Sequence, residues 1–356
     1  MRGIVWDGQL NIRDDVDTTE PGPREVVVRI HHAGLCHSDV SVINGTIPFP
    51  TPVVLGHEGA GVVEAVGSAV SKVRVGDHVV LTTLGNCGQC SACDRGEATL
   101  CKSSFGALTQ RFEIGGEPVY GFANTGVFAE RTVVNEHQAI VIDPRVPLSS
   151  ACLIGCAVVT GAGAVLNRAR VRPGETVLVI GAGGIGQSVI QAARISNASR
   201  IVVADTNPRK RAVAEAFGAT DFIDSSEAPD LVAAVKELGL SDGVDHAFEC
   251  VGHPDLVRVA IDALDWGGTC TLLGVPRLGT EASFMIAGLY NNKSILGCRY
   301  GATRPHHDIP LIVQLYLDGR FQLDEMVSRN YDLADIGDAM SDLEAGELNR
   351  GVLDLA

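Results

Sequence analysis

Thr176-Val-Leu-Val-Ile-Gly-Ala-Gly-Gly-Ile-Gly186 is an apolar run followed by a turn rich in glycine. The apolar run predicts a buried β-strand, and the stretch that continues to Ser196 predicts a helix. In this strand–turn–helix context the glycines fit the pattern G-x-G-x-x-G, in which they permit a tight turn and a close backbone approach to a pyrophosphate. The stretch therefore predicts a βαβ unit that binds a dinucleotide. The predicted contacts in the turn are Gly181, Gly183, Gly184, Ile185 and Gly186.

The residues around this turn extend the same pattern. Apolar runs at Arg200–Ala204, Asp245–Glu249 and Thr269–Gly274 predict further strands, and Pro208–Phe217 predicts a helix that Gly218 ends. Strands that alternate with helices predict a parallel sheet of βαβ units.

An acidic residue near the predicted second strand bears on the choice of dinucleotide. Asp205 comes directly after the run Arg200–Ala204. A carboxylate at this point accepts hydrogen bonds from ribose hydroxyls and repels a 2′-phosphate, so NAD is favoured over NADP. The basic stretch from Arg209 to Arg211 could instead receive a 2′-phosphate, which leaves NADP as an alternative.

Composition limits the possible functions of the 356-residue chain. The net charge of −15 disfavours nucleic acid and anionic membranes as partners. No apolar run reaches the ~20 residues of a transmembrane helix, and the N-terminus lacks the pattern of a signal peptide. We therefore expect a cytoplasmic protein, in which clustered cysteines indicate metal rather than disulfides.

Four cysteines form a dense cluster in the first half of the chain. Their spacing is C-x2-C-x2-C-x7-C, and glycines between and beside them relax the backbone. A closed set of four thiolates is typical of structural zinc, although an iron–sulfur cluster uses the same ligands. The predicted ligands are Cys87, Cys90, Cys93 and Cys101.

A second group of metal ligands lies in otherwise apolar segments. Cys36 and His57 are suited to a catalytic zinc, which takes three protein ligands and keeps a fourth position free. Spacing alone does not decide whether Cys152 or Cys156 is the third ligand.

Together these motifs resemble those of the zinc-dependent medium-chain alcohol dehydrogenases. The resemblance rests on Gly56-His57-Glu58-x2-Gly61, on the four-cysteine cluster, on Gly155-Cys156-x3-Thr160-Gly161 and on the dinucleotide turn. It implies an α/β fold with a GroES-like, β-rich catalytic domain and a Rossmann domain with a doubly wound parallel sheet. The implied catalytic domain comprises residues 1–157, with a structural-zinc lobe at 85–102, and residues 300–356, where the chain returns to it. The implied NAD-binding domain comprises residues 158–299.

The resemblance also implies roles for individual residues. It selects Cys156 as the third catalytic ligand and implies that Glu58 is a transient ligand. Ser38 would accept the proton of the alcohol, and Asp39 would orient His57. Ser41 stands where many members have a histidine, so the proton relay is expected to end in water. The implied cofactor contacts outside the glycine turn are His37, Thr160, Asp205, Lys210, Val251, Val275 and Arg350. Register suggests Thr83, Phe105 and Leu296 for the substrate pocket.

The expected function is a reversible, NAD-dependent oxidation of an alcohol to an aldehyde or ketone through a zinc-bound alkoxide, with two zinc ions per chain. One alternative is a glutathione-dependent formaldehyde dehydrogenase, and another is a zinc-free reductase of the same fold. A non-catalytic, zinc-stabilised NAD-binding protein is the alternative outside enzymes. The resemblance further implies a homodimer or homotetramer, formed through sheet edges of the middle domain.

Overall fold

Strands dominate the first part of the chain and alternate with helices in the middle part. The computed structural model describes residues 1–104, 106 and 108–356. The strands before residue 156 are β1 (Gly3–Trp6), β2 (Leu10–Arg13), β3 (Val16–Thr18), β4 (Glu25–Gly34), β5 (Val53–Val54), β6 (Glu58–Val66), β7 (His78–Leu81), β8 (Phe112–Ile114), β9 (Glu117–Gly121), β10 (Arg131–Asn135) and β11 (Ala139–Val141). The later strands are β12 (Thr176–Ile180), β13 (Arg200–Asp205), β14 (Asp221–Asp224), β15 (Val244–Glu249), β16 (Leu264–Leu272), β17 (Ser294–Gly297), β18 (Val327–Asp332) and β19 (Arg350–Asp354).

The helices are concentrated in the middle and towards the end of the chain. They are α1 (His37–Ile43), α2 (Ser91–Asp94), α3 (Leu148–Ala151), α4 (Ala157–Gly163), α5 (Gly184–Ile195), α6 (Arg211–Phe217), α7 (Leu231–Glu237), α8 (Pro254–Asp262), α9 (Pro305–Leu317) and α10 (Ile336–Glu344). Among the described residues no single helix has the length and apolar character to cross a membrane, although segments 148–155 and 157–169 meet these criteria together as a bent pair.

The first of two structural units carries the β-rich part of the fold. It comprises Met1–Cys156, Arg304–Gly319 and Leu323–Ala356. One sheet has the strand order β2-β1-β5-β9-β8-β3, and another has the order β11-β7-β6-β4-β19-β18, with β10 also paired to β4. Most of the pairs are antiparallel, and their inward-facing valines, leucines and isoleucines form the core of this unit.

The second unit is built on a parallel sheet. It comprises Ala157–Thr303 and Arg320–Gln322. Its strand order is β14-β13-β12-β15-β16-β17, which is the order of a doubly wound dinucleotide-binding sheet. The four residues of β12 after Thr176 are all buried, as expected for a strand of a parallel sheet that is covered on both faces. The predicted α/β fold is therefore confirmed.

Candidate active site

Four potential metal ligands converge in the first unit. Cys36 precedes α1, His57 directly precedes β6, Glu58 is the first residue of β6, and Cys156 follows a short 3₁₀ turn. One ligand atom from each residue lies within 4.8 Å of the others. Sheet pairing creates this convergence, because Glu58 of β6 is paired with Gly34 of β4, just before Cys36.

Neighbouring groups shift the pKa values of two side chains in this cluster. A hydrogen bond from the Cys156 thiol lowers the pKa of Cys36 well below its ordinary value. Burial lowers the pKa of His57, but the charges of Asp39 and Cys36 outweigh burial and raise this pKa well above its ordinary value. Without a metal the site therefore favours a thiolate beside a protonated imidazole.

Zinc fits this set of donors. His57 Nε2 and Glu58 Oε1 are buried and have no hydrogen-bond partner of good geometry among the described residues, so a cation would satisfy them. Two thiolates and an imidazole are typical ligands of catalytic zinc and leave a fourth position free. Cys152 does not belong to the cluster, since its thiol donates to the carbonyl of Ser149 and burial raises its pKa.

Neighbouring side chains hold the imidazole in place. Asp39 is fully buried, its Oδ1 accepts a hydrogen bond from Gly56 N at 2.8 Å, and its Oδ2 lies 3.2 Å from His57 Nδ1. The ring of Phe122 packs edge-on against the imidazole at a centroid distance of 5.2 Å. Ser38 Oγ lies 3.7 Å from Cys36 Sγ, which places a hydroxyl group beside the cluster. Sequence reasoning missed Phe122, because an isolated phenylalanine carries no recognisable motif.

The fourth cluster residue, Glu58, has a partner far away in the sequence. Its carboxylate accepts a hydrogen bond from Arg350, and both side chains are buried. Burial raises the pKa of Glu58 to about 7, although the charge of Arg350 opposes this effect. The resemblance also implies a pyrophosphate contact for Arg350, and its guanidinium lies against the carboxylate of Glu58.

The four-cysteine lobe brings its sulfurs close together. Sγ of Cys90 lies 3.6 Å from that of Cys93, and Sγ of Cys101 lies 3.6 Å from that of Cys87. Four sulfurs about 2.3 Å from one zinc ion would be roughly 3.8 Å apart, so the spacing fits a single ion. An iron–sulfur cluster with two or more irons would hold some of its thiolates further apart, whereas all four sulfurs here lie within 4.8 Å of one another. Although burial raises the pKa of Cys101, hydrogen bonds from Cys87 lower it to about 6, which favours the thiolate.

The glycine turn of the second unit has the geometry that its sequence predicts. Gly181 has a φ of +95°, which side chains rarely adopt, and a Cβ on Gly186 would clash with the carbonyl of Gly181. A Cβ on Gly183 would meet no protein atom within 4 Å, so that position is open to a ligand. The turn therefore offers free backbone N–H groups at the start of α5 to an anion such as a pyrophosphate.

Asp205 lies at the end of β13, beside this turn. Its carboxylate accepts hydrogen bonds from Ala182 N at 2.7 Å and from Asn207 N at 2.9 Å. Lys210 Nζ donates to the same carboxylate at 3.1 Å. These donors fix Asp205 at the carboxyl edge of the sheet, where open α/β sheets bind their ligands.

Comparison with known proteins identifies the family of the chain. Residues 22–144 match the family model of the alcohol dehydrogenase GroES-like domain, and residues 184–318 match that of the zinc-binding dehydrogenases. An S-(hydroxymethyl)glutathione dehydrogenase of Synechocystis sp. is 36% identical over 349 residues, or 95% of each chain. The chain belongs to the zinc-dependent medium-chain dehydrogenase family.

Solved structures extend this result to the whole dehydrogenase. An alcohol dehydrogenase zinc-binding domain protein from Burkholderia ambifaria is 38% identical with a TM-score of 0.94, and the match covers 100% of this chain and 98% of that chain. Benzyl alcohol dehydrogenase from Acinetobacter calcoaceticus is 33% identical with a TM-score of 0.92, and the match covers 100% and 99%. The protein is therefore an oxidoreductase of the alcohol dehydrogenase type, and its cofactors are zinc and NAD.

The remaining predicted site residues of the dehydrogenase lie in both units. His37 is exposed at the start of α1, and Thr160 is buried in α4. Val251 and Val275 are exposed and follow β15 and β16. Of the suggested pocket residues, Phe105 lies outside the described residues, while Thr83 and Leu296 are partly buried.

Proposed function

We propose that the dehydrogenase reversibly oxidises a small alcohol with NAD at the site formed by Cys36, His57 and Cys156. The observation that carries this proposal is the convergence of these residues with Glu58 within 4.8 Å. Cys87, Cys90, Cys93 and Cys101 would hold the second, structural zinc. Zinc at a site with a free position lowers the pKa of a bound hydroxyl group, and NAD accepts hydride.

Residues around the first site have separate roles in this proposal. Ser38 takes the proton of the alcohol. Because position 41 is a serine and not a histidine, the proton passes from there to water. Asp39 keeps His57 oriented from the side of Nδ1, so that Nε2 is the ligating atom. Glu58 remains a transient ligand, and its ion pair with Arg350 supports this role because the guanidinium stabilises the carboxylate when it is not ligating.

Cofactor binding is assigned to the glycine turn and its surroundings. Pyrophosphate would bind at Gly181–Gly186, with His37 and Arg350 as further contacts, and the adenosine ribose would bind at Asp205 and Lys210. Thr160, Val251 and Val275 would line the rest of the dinucleotide site. The domain assignment made from the sequence stays part of the proposal, with 1–157 and 300–356 catalytic and 158–299 for NAD.

The alternative substrate is S-(hydroxymethyl)glutathione, which the curated relatives are named for. This adduct carries carboxylates and requires cationic side chains near the metal. Arg350 is the arginine beside the catalytic cluster, but it is 5% exposed and paired with Glu58, which favours an uncharged alcohol.

A panel of substrates tests the two candidates. We expect NAD reduction with ethanol, benzyl alcohol or a secondary alcohol at a kcat/KM at least tenfold above that with S-(hydroxymethyl)glutathione. A preference for the adduct would establish the alternative, and no NAD reduction with any of them would refute both functions.

Assembly and location complete the proposal. Strand β17 is an edge of the parallel sheet, and edge strands are able to pair with another copy. Large apolar side chains in the segment that precedes β17 are exposed, including Leu278, Ile286 and Tyr290. These features support a homodimer, or a homotetramer built from dimers. The reduced thiols that both zinc sites require support a place in the cytoplasm.

Changing Asp205 to glycine tests the cofactor assignment. The KM for NAD should rise about tenfold, because charge-assisted hydrogen bonds to the ribose are lost, and the preference over NADP should narrow. Steady-state kinetics with both dinucleotides measures this. The matched control is Asp221→Asn. Asp221 is the first residue of β14, whereas Asp205 pairs with the last, so this change should leave the KM for NAD and the cofactor preference unchanged. An unaltered cofactor preference in Asp205→Gly would show that the carboxylate does not read the ribose.

A further inference from the structure

Glu249 is a buried carboxylate at the carboxyl end of β15. Its side chain is 1% exposed, and β15 lies between β12 and β16 in the parallel sheet. Oε1 accepts hydrogen bonds from Val251 N at 2.9 Å and from Gly252 N at 2.8 Å, and the N–H of His253 contributes a further hydrogen bond. The carboxylate therefore fixes the loop that follows β15.

The main chain of the same residue fixes the loop that follows β16. The carbonyl oxygen of Glu249 accepts hydrogen bonds from Leu273 N at 2.8 Å and from Gly274 N at 3.0 Å. The two loops also touch, since a Cβ on Gly274 would clash with Gly252 N. One buried residue thus joins two neighbouring loops at the carboxyl edge of the sheet.

These loops border the glycine turn. A Cβ on Gly181 would lie 2.7 Å from Val251 Cγ2, so the first loop packs against the first glycine of the turn. Val251 and Val275 are 52% and 61% exposed, which is unusual for valines held on such tightly packed loops. Apolar side chains presented in this way, at the edge where open α/β sheets bind their ligands, are suited to contact a ring of the dinucleotide.

We propose that Glu249 is a positioning residue for dinucleotide binding, which holds the loops of Val251 and Val275 in their binding-competent arrangement. This inference rests on the proposed cofactor site. Glu249 does not touch the dinucleotide itself, because its carboxylate is buried and directed to the backbone N–H groups of its own loop. Its contribution is preorganisation, which lowers the entropy lost when the ligand binds.

The chemistry of the side chain explains why a carboxylate is used. Burial raises the pKa of Glu249, and the N–H donors of Gly252, Val251 and His253 oppose that effect. A carboxylate only accepts hydrogen bonds, so all of its lone pairs can serve backbone donors. A glutamine of the same shape has one accepting oxygen instead of two and no negative charge, so its hydrogen bonds to these donors are weaker and the loop loses part of its support.

The experiment compares Glu249→Gln with a matched buried glutamate of the first unit. Glu136 is also fully buried and accepts hydrogen bonds from Ser71 N and Lys72 N, as well as one from Arg24 at 3.0 Å, so Glu136→Gln weakens the same kind of backbone interaction away from the cofactor loops. NADH binding is measured by fluorescence on the zinc-loaded protein without substrate. We expect Glu249→Gln to raise the Kd for NADH and the KM for NAD about tenfold. The kcat at saturating NAD should stay within twofold, and Glu136→Gln should leave the Kd unchanged.

Each outcome separates the inference from the function on which it rests. If the wild-type protein bound no NADH, the proposed cofactor site would be wrong. If Glu249→Gln lowered the melting temperature as Glu136→Gln does but kept the wild-type Kd, its role would be purely structural and the inference would fail.

Amide hydrogen exchange on the wild-type protein tests the proposal even if Glu249→Gln does not fold. NADH should slow exchange in residues 250–253 and 273–275 together, because both loops are held by one residue. Unchanged exchange in both loops on NADH binding would overturn the proposal.

Discussion

Replacing His57 with alanine is expected to lower kcat at least a thousandfold while NADH binding stays within twofold of wild type. The imidazole is one of three proposed ligands that converge with Glu58 in the first unit, whereas the glycine turn lies in the second unit. Loss of about 4 kcal/mol of charge stabilisation at the reacting oxygen corresponds to about a thousandfold in rate. Cys36→Ser should have a similar effect, because a hydroxyl group is a poorer zinc ligand than a thiolate.

Zinc content and a pair of cysteine variants make this prediction specific. The wild-type chain should contain two zinc ions, and His57→Ala should contain one after dialysis. Cys156→Ser should also lose one ion, whereas Cys152→Ser should keep both and remain active, since Cys152 lies outside the cluster. Loss of NADH binding in His57→Ala with the zinc content unchanged would contradict the ligand assignment.

Replacing Cys90 with serine is expected to destabilise the first unit by about 4 kcal/mol. Its sulfur lies 3.6 Å from that of Cys93 in a lobe whose four ligand atoms are all close together. Helix α2 in this lobe is only four residues long, so the lobe has little structure of its own to replace the metal. Binding of a structural metal contributes directly to the free energy of folding, and removing one thiolate loses much of that contribution.

Thermal unfolding and zinc analysis measure this effect. Cys90→Ser should melt at a lower temperature and lose one zinc ion, and activity should fall as the lobe unfolds rather than through the reaction itself. Cys298→Ser, which changes a partly buried cysteine of the second unit, is the control and should keep both zinc ions. A Cys90→Ser protein that is inactive yet as stable as wild type would argue against a structural role.

The sequence predicted the second unit closely and the ends of some strands less well. Strand β12 spans Thr176–Ile180, as the apolar run predicts. Strand β16 begins at Leu264, five residues before the predicted start, because Asp265 and the two glycines that follow Trp266 interrupt the apolar pattern. Strand β6 begins at Glu58, a charged residue that strand propensity disfavours and that is paired with Arg350 in the core.

The sequence by itself determined the features that depend on residues close together in the chain. The glycine turn and the four-cysteine lobe are of this kind, because a few residues of backbone decide whether their atoms can converge. The tertiary structure decided which residues far apart in sequence meet. It paired Arg350 with Glu58 and set Glu249 between two loops. Such contacts arise from strand pairing and from the cost of burying an unpaired charge, and neither leaves a local pattern in the sequence.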